Sequence, residues 1–303
     1  MKTALLITLG VFTLTYLAIW ISAASRAHGE RRRWPGPLDI AIGFGANFLD
    51  TLGIGSFATT SGMFKLCNLV PDEQIPGTLN VGHTLPTVAE AFLFMGLVKV
   101  DPVTLVALIA ASALGAWLGA GIVGHWPRRK VQIGMGTVLA LAAVIMTLSQ
   151  LQWVPGGGTD IGLTGTKLVI GILGNAILGA LMTLGIGLYA PCMILVYLLG
   201  MSQLVAFPIM MGSCAFLMPV GSARFVRLGS YNLKSALGLA IGGIPGVLVA
   251  FYLVKSLPLY AVKWLVVGVV LYTSAMMLRS AHSERGTRLA AAQADLAAEA
   301  SAE

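Results

Sequence analysis

Long uncharged apolar runs, separated by short basic or Pro- and Gly-rich breaks, alternate along the chain. Thr3 to Ala24 is the first run, and a basic loop with Arg31, Arg32 and Arg33 follows it. A block from Leu38 to about Leu69 ends at Pro71-Asp72-Glu73, and a second from Gln74 to Val98 carries Pro76 and Pro86. Val103 to Gly124 and Val131 to Leu151 then read as ordinary spans, split by His125-Trp126-Pro127 and a basic triplet. After a polar, Gly-rich stretch the order returns: blocks Lys167 to Leu199 and Gln203 to about Val226, then spans Leu233 to Val254 and Tyr260 to Leu278. About 20 apolar residues cross a bilayer as a helix, so these runs predict an all-α polytopic membrane protein.

The return is a repeat. Thr51-Leu52-Gly53-Ile54-Gly55 reappears as Thr183-Leu184-Gly185-Ile186-Gly187. Pro76 with Pro208, Pro86 with Pro219, Gly96 with Gly229 and Pro127 with Pro258 keep the same separation of about 132 residues, a constancy that chance does not supply. The predicted organisation is an N-terminal helix and basic loop (1–37), a first repeat (38–151), a linker (152–166), a second, inverted repeat (167–279) and a solvated cytoplasmic tail, frayed or loosely helical (280–303). The first helix is read as retained, since it is longer than a signal-peptide core.

Charge sets the orientation. Arg31 to Arg33, Arg128 to Lys130, the group Arg224, Arg227 and Lys234, and Arg285 with Arg288 all belong on the cytoplasmic side by the positive-inside rule. The two blocks of each repeat must then cross an odd number of times together. One net crossing per pair, with the remainder broken or re-entrant, gives about seven crossings, an outside N-terminus, a cytoplasmic C-terminus and two inverted repeats. Nine full spans with weak charge bias is the alternative.

Composition agrees. Hydrophobic residues make up 57% of the 303 and charged residues 10%, with mean hydropathy +0.86, which excludes an ordinary soluble domain. The net charge of +7 falls in loop clusters, so nucleic acid is not an expected partner. Three scattered cysteines and four histidines give no metal motif, no cofactor is implied, and no nucleophile with a matched base suggests catalysis.

Candidate chemistry gathers in the interrupted blocks. Asn47, Asp50 and Thr51 share one helical face, Gly53 and Gly55 permit a break, and Ser56, Thr59 and Thr60 begin the next half-helix, whose free N–H groups suit an oxyanion. Block two adds Asn80, His83 and Glu90. The second repeat offers Asn175, Thr183, Gly185, Gly187, Tyr189, Ser213 and Arg224. Apart from Thr60 these are the expected substrate-binding residues, with Asp50 and Glu90 as proton-coupling groups, because ionisable residues inside membrane blocks are functional candidates by default. For any one Gly or Thr, close helix packing is the plainer role, and Glu90 could instead pair with Arg224, its near-equivalent in the other repeat.

The opening Gly43-Phe44-Gly45-Ala46-Asn47, the proline-bearing second block and the duplicated seven-crossing plan resemble the sulfite exporter TauE/SafE family of membrane permeases. That resemblance covers roughly Leu38 to Arg279. It implies transport of sulfite, thiosulfate or small sulfonates such as sulfoacetate across a bacterial inner (plasma) membrane, coupled to protons. Expected partners are a small anion, protons and the bilayer, with a homodimer as an option. A carrier or channel for another solute and an intramembrane enzyme are the competing readings.

Overall fold

The computed structural model describes residues 2–26, 34–123, 128–151, 153, 158–182 and 187–300, with side chains left aside at 119–123, 128 and 283–300. It is all-helical among those residues, apart from one isolated bridge between Asp160 and Met201. Eleven helices follow in order: α1 (Lys2–Ser25), α2 (Pro37–Thr51), α3 (Ser56–Leu66), α4 (Ile75–Leu97), α5 (Pro102–Val123), α6 (Arg128–Gln150), α7 (Gly165–Met182), α8 (Tyr189–Leu198), α9 (Gln203–Leu228), α10 (Leu233–Ser256) and α11 (Leu259–Ala300). Local sequence sets most boundaries. Pro37, Pro76 and Pro102 stand in first turns, where a missing N–H costs nothing. Gly229 ends α9 in the left-handed region, and the Asn232 side chain accepts from the Ser235 N–H to cap α10.

Set side by side, α2 to α6 and α7 to α11 are the same five elements, a broken pair followed by three long helices. Packing repeats as well. α2 lies along α10 as its equivalent α7 lies along α5, while α4 meets α9 and α6 meets α11, the last two pairs joining equivalent elements of the two halves. The crossings even match in register. A Cβ added at Gly246 would meet the Phe44 carbonyl, and one at Gly115 would meet the Ala176 carbonyl. Small residues let both helix pairs approach backbone to backbone.

Long-range contacts show which helices run from end to end. At one end the Gly36 N–H and the Ser235 hydroxyl bond Asp39, Lys234 pairs with Asp39, and the Asn232 N–H bonds Thr78. That end therefore holds the starts of α2, α4 and α10 and the end of α9. The α1 aromatics Tyr16 and Trp20 pack there with Val226 and Leu233. At the other end Lys2 reaches the Val98 carbonyl, Asp101 bonds Ile161, Thr104 bonds Leu163, and Ser202 bonds Asp160. It holds the start of α1, the end of α4, and the starts of α5, α7 and α9. α6 and α11 run antiparallel, with Arg129 on the Ala281 carbonyl and the Ser274 hydroxyl on Gly136.

Seven helices consequently traverse the molecule: α1, α4, α5, α6, α9, α10 and α11. The pairs α2–α3 and α7–α8 start and finish at the same end, one pair from each end. By length and composition alone α1, α6, α7, α9, α10 and α11 qualify as spans. The contacts decide differently for α7, which turns back through α8, and for α4, whose 23 residues reach about 34 Å despite their polar content.

In the connection between the halves, Asp160, Ile161 and Leu163 are tied to Ser202, Asp101 and Thr104. Beyond residue 279 α11 continues as helix to Ala300, consistent with the helix propensity of its Ala-rich sequence.

Candidate functional site

Both helix breaks face one cavity. Asp50, Ile54, Gly55 and Ser56 line it from the α2–α3 break, and Met182, Gly187, Leu188 and Tyr189 line it from the α7–α8 break. Phe57 of α3, Thr87 of α4, Ala190 of α8, Cys214 and Met218 of α9 and Thr273 of α11 also line it. Its volume of about 50 Å³ suits a few waters or a small ion.

The first break is held by its own residues. Gly53 and Gly55 take φ of 98° and 91°, values that other residues avoid, so the chain leaves α2 and re-forms as α3 within four residues. Asp50, only 3% exposed, accepts from the Ser56 N–H at 2.9 Å and from the Ser56 hydroxyl at 3.0 Å. Its carboxylate thus sits on the N-terminal end of α3, where the dipole favours negative charge. The oxyanion seat expected there is therefore already taken by a side chain of the protein. In the other repeat Met182 stands where Asp50 stands here, so the two breaks are chemically unlike.

Glu90, fully buried, joins the two repeats. It accepts from the Tyr189 hydroxyl at 3.0 Å and lies 2.8 Å from the Thr51 hydroxyl. Thr51 is also 2.8 Å from the Asn47 carbonyl. The expected pair with Arg224 is absent, because Arg224 is exposed on α9 while Glu90 is sealed between Thr51 and Tyr189.

His83 is a strut rather than a wall. The Asn47 amide donates to the Gly43 carbonyl, leaving its oxygen to accept from His83 Nδ1 at 3.0 Å, and the Thr60 hydroxyl reaches His83 Nε2 at 3.0 Å. One imidazole thereby ties α2, α3 and α4 together, with every group satisfied.

Of the residues expected at the site, the structure brings Asp50, Gly55, Ser56, Gly187 and Tyr189 to the cavity. Thr51 and Glu90 lie directly behind Tyr189. Asn47 and His83 brace the first break, and Gly53 packs against Met193. Thr59 returns its hydroxyl to the Ser56 carbonyl and Asn80 its amide to Pro76, both local bonds away from the cavity. Asn175 donates to the Leu108 carbonyl and to Ser213, joining α7 to α5 and α9. Thr183 and Gly185 lie outside the described residues. Sequence reasoning missed Thr87, Met182, Cys214, Met218 and Thr273. Comparing the repeats in register could have flagged Met182, whereas Thr273 comes from a span with no polar pattern around it.

A duplicated helical membrane protein, with two oppositely placed helix breaks around one cavity, has the build of a membrane permease. Residues 1–146, just under half of the chain, match the family model described as Sulfite exporter TauE/SafE. The match takes in the first break and the whole of α4, but the second repeat lies beyond it. Comparison with curated proteins and with solved structures gives no match.

Proposed function

We propose that the protein is a secondary carrier of small anions, sulfite and related sulfur oxyanions or sulfonates among them, moving with protons across the cell inner membrane. The observation that carries the reading is that both breaks, one from each repeat, line the same cavity. Alternating access then follows from rocking one repeat against the other, which opens the cavity toward one end at a time. The family named by the N-terminal match supplies the substrate class.

Proton carriage has a geometric basis. Thr51 has one hydroxyl proton and two oxygen neighbours at 2.8 Å, so a Glu90 that itself donates to Thr51 completes every bond in the set. Asp50 adds a second carboxyl, on the cavity wall. The basic residues Arg224, Arg227 and Lys234 gather at the end that holds the starts of α2, α4 and α10, and that end faces the cytoplasm by the positive-inside rule.

The test is sulfite flux in proteoliposomes under an imposed pH gradient. Wild-type protein should show gradient-driven flux, and Asp50→Asn should lose it while remaining folded. Unchanged coupled flux in that variant would remove Asp50 from the mechanism. A second reading has one observation in its favour: none of the described residues lining the cavity is Lys or Arg, which also suits a cationic or neutral solute. Absence of sulfite flux beside transport of such a solute would establish it.

A further inference from the structure

Two hydroxyls in the cavity wall have nothing to bond. Thr87 is 1% exposed and makes no side-chain hydrogen bond among the described residues. Thr273 Oγ1 is buried and without a partner. Helical threonines elsewhere in the chain behave otherwise: Thr8, Thr13, Thr78, Thr137 and Thr147 each return the hydroxyl to the carbonyl four residues back. An unsatisfied buried hydroxyl such as that of Thr273 costs about 1–3 kcal/mol, and the Thr87 hydroxyl on the same small cavity is also left without a bond, so the two together point to a ligand that satisfies them.

The rest of the wall restricts what that ligand is. Asp50 contributes a carboxylate whose two oxygens each accept one bond from Ser56, leaving lone pairs for a further donor. None of the described lining residues is Lys or Arg, and with the α3 end already occupied by Asp50 the positive contribution left for a ligand comes from the N-terminal end of α8 at Tyr189. A dianion would meet the Asp50 carboxylate with no full positive charge to offset either group. An oxyanion that keeps one acidic proton fits every partner. Its oxygens accept from Thr87 and Thr273, and its own O–H donates to Asp50 in a charge-assisted bond.

Resting on the anion-carrier reading above, we propose that the cavity selects a small monoprotonated oxyanion, with Thr87 and Thr273 as donors and Asp50 as the acceptor that detects the substrate's proton. A carboxylate acceptor rejects the deprotonated form by leaving two negative oxygens face to face, which is specificity by an unfavourable contact. Substrate and proton then move as one species.

Other titratable groups also face this region. Tyr189 of α8 and Cys214 of α9 line the cavity, Glu90 of α4 stands behind Tyr189, and His83 of α4 is engaged by Asn47 and Thr60. The test is therefore run at one fixed, mildly acid pH. Calorimetric binding to the purified full-length protein compares three probes. Sulfite is present there largely as hydrogensulfite, sulfate is a dianion, and methanesulfonate is a monoanion without an acidic proton.

Sulfite should bind at least about tenfold more tightly than either of the others, the scale of one lost charged hydrogen bond. Thr87→Val and Thr273→Val should each weaken sulfite about tenfold while leaving thermal stability equal or higher, because the hydroxyl removed had no partner within the protein. Asp50→Asn should erase the preference for sulfite over methanesulfonate. Equal binding of sulfate or methanesulfonate by the wild type, or undiminished sulfite binding in both threonine variants, overturns this inference and leaves the carrier reading standing. Failure of all three probes to bind or to be transported overturns both.

Discussion

At the scale of single residues, the polar groups of this chain divide by whether their bonds are complete. Asn47, His83 and Thr60 are mutually satisfied and brace helices, whereas Thr87 and Thr273 line the cavity, the Thr273 hydroxyl buried without a partner. Residue type does not separate the two groups, because a buried threonine in sequence looks the same in either role. Glu90 is the residue where both repeats meet, through Thr51 on one side and Tyr189 on the other. Tyr189→Phe should destabilise the protein by about 1–3 kcal/mol in detergent unfolding, since one carboxyl oxygen is left without its donor. In a Glu90→Leu background the same change should cost much less. A double-mutant cycle with no coupling between the positions would show that the contact is not formed.

At the scale of elements, the α2–α3 break is a backbone device. Gly55 holds φ 91°, ψ 132°, with no atom within 4 Å of where a Cβ would stand. Gly55→Ala should therefore cost about 1–3 kcal/mol through backbone strain alone, with no steric clash. Gly62, exposed inside α3 and equally uncrowded, should respond in the opposite direction. Ala there removes a flexible residue from a regular helix and should raise stability by about 0.5–1 kcal/mol. Melting temperatures of the two variants check the contrast, and matching shifts would contradict the assigned break. The TLGIG motif made this break legible in advance, because paired glycines inside an apolar run have few regular roles. Capping of α3 by Asp50 was less so, since it depends on which way the chain turns after Gly53.

At the scale of the whole molecule, the traversing helices and the two folded-back pairs give a topology that native cysteines can test. Cys67 is exposed just after α3, near the ion pair between Lys65 and Asp72, while Cys192 and Cys214 are buried. A membrane-impermeant maleimide should label Cys67 only from the cytoplasmic face. Labelling from outside would mean that α2 and α3 cross the membrane as one unit. The sequence by itself determined that the chain is a helical membrane protein, that it is duplicated, and that each half contains a break. Hydrophobic run length, register and basic clusters are local or periodic properties, and a membrane leaves the backbone few alternatives to a helix. The positive-inside rule applied to the basic clusters also favoured one net crossing per block pair. Only the tertiary structure decided that α4 and α9 are the crossing members, that Asp50 fills the seat at α3, and that Glu90 bonds Tyr189 instead of Arg224. The first and last of these depend on which surfaces meet across nearly a hundred residues or more of chain, and pairing at that distance leaves no period or spacing in the sequence to read, while the Asp50 cap depends on the direction the chain takes after Gly53.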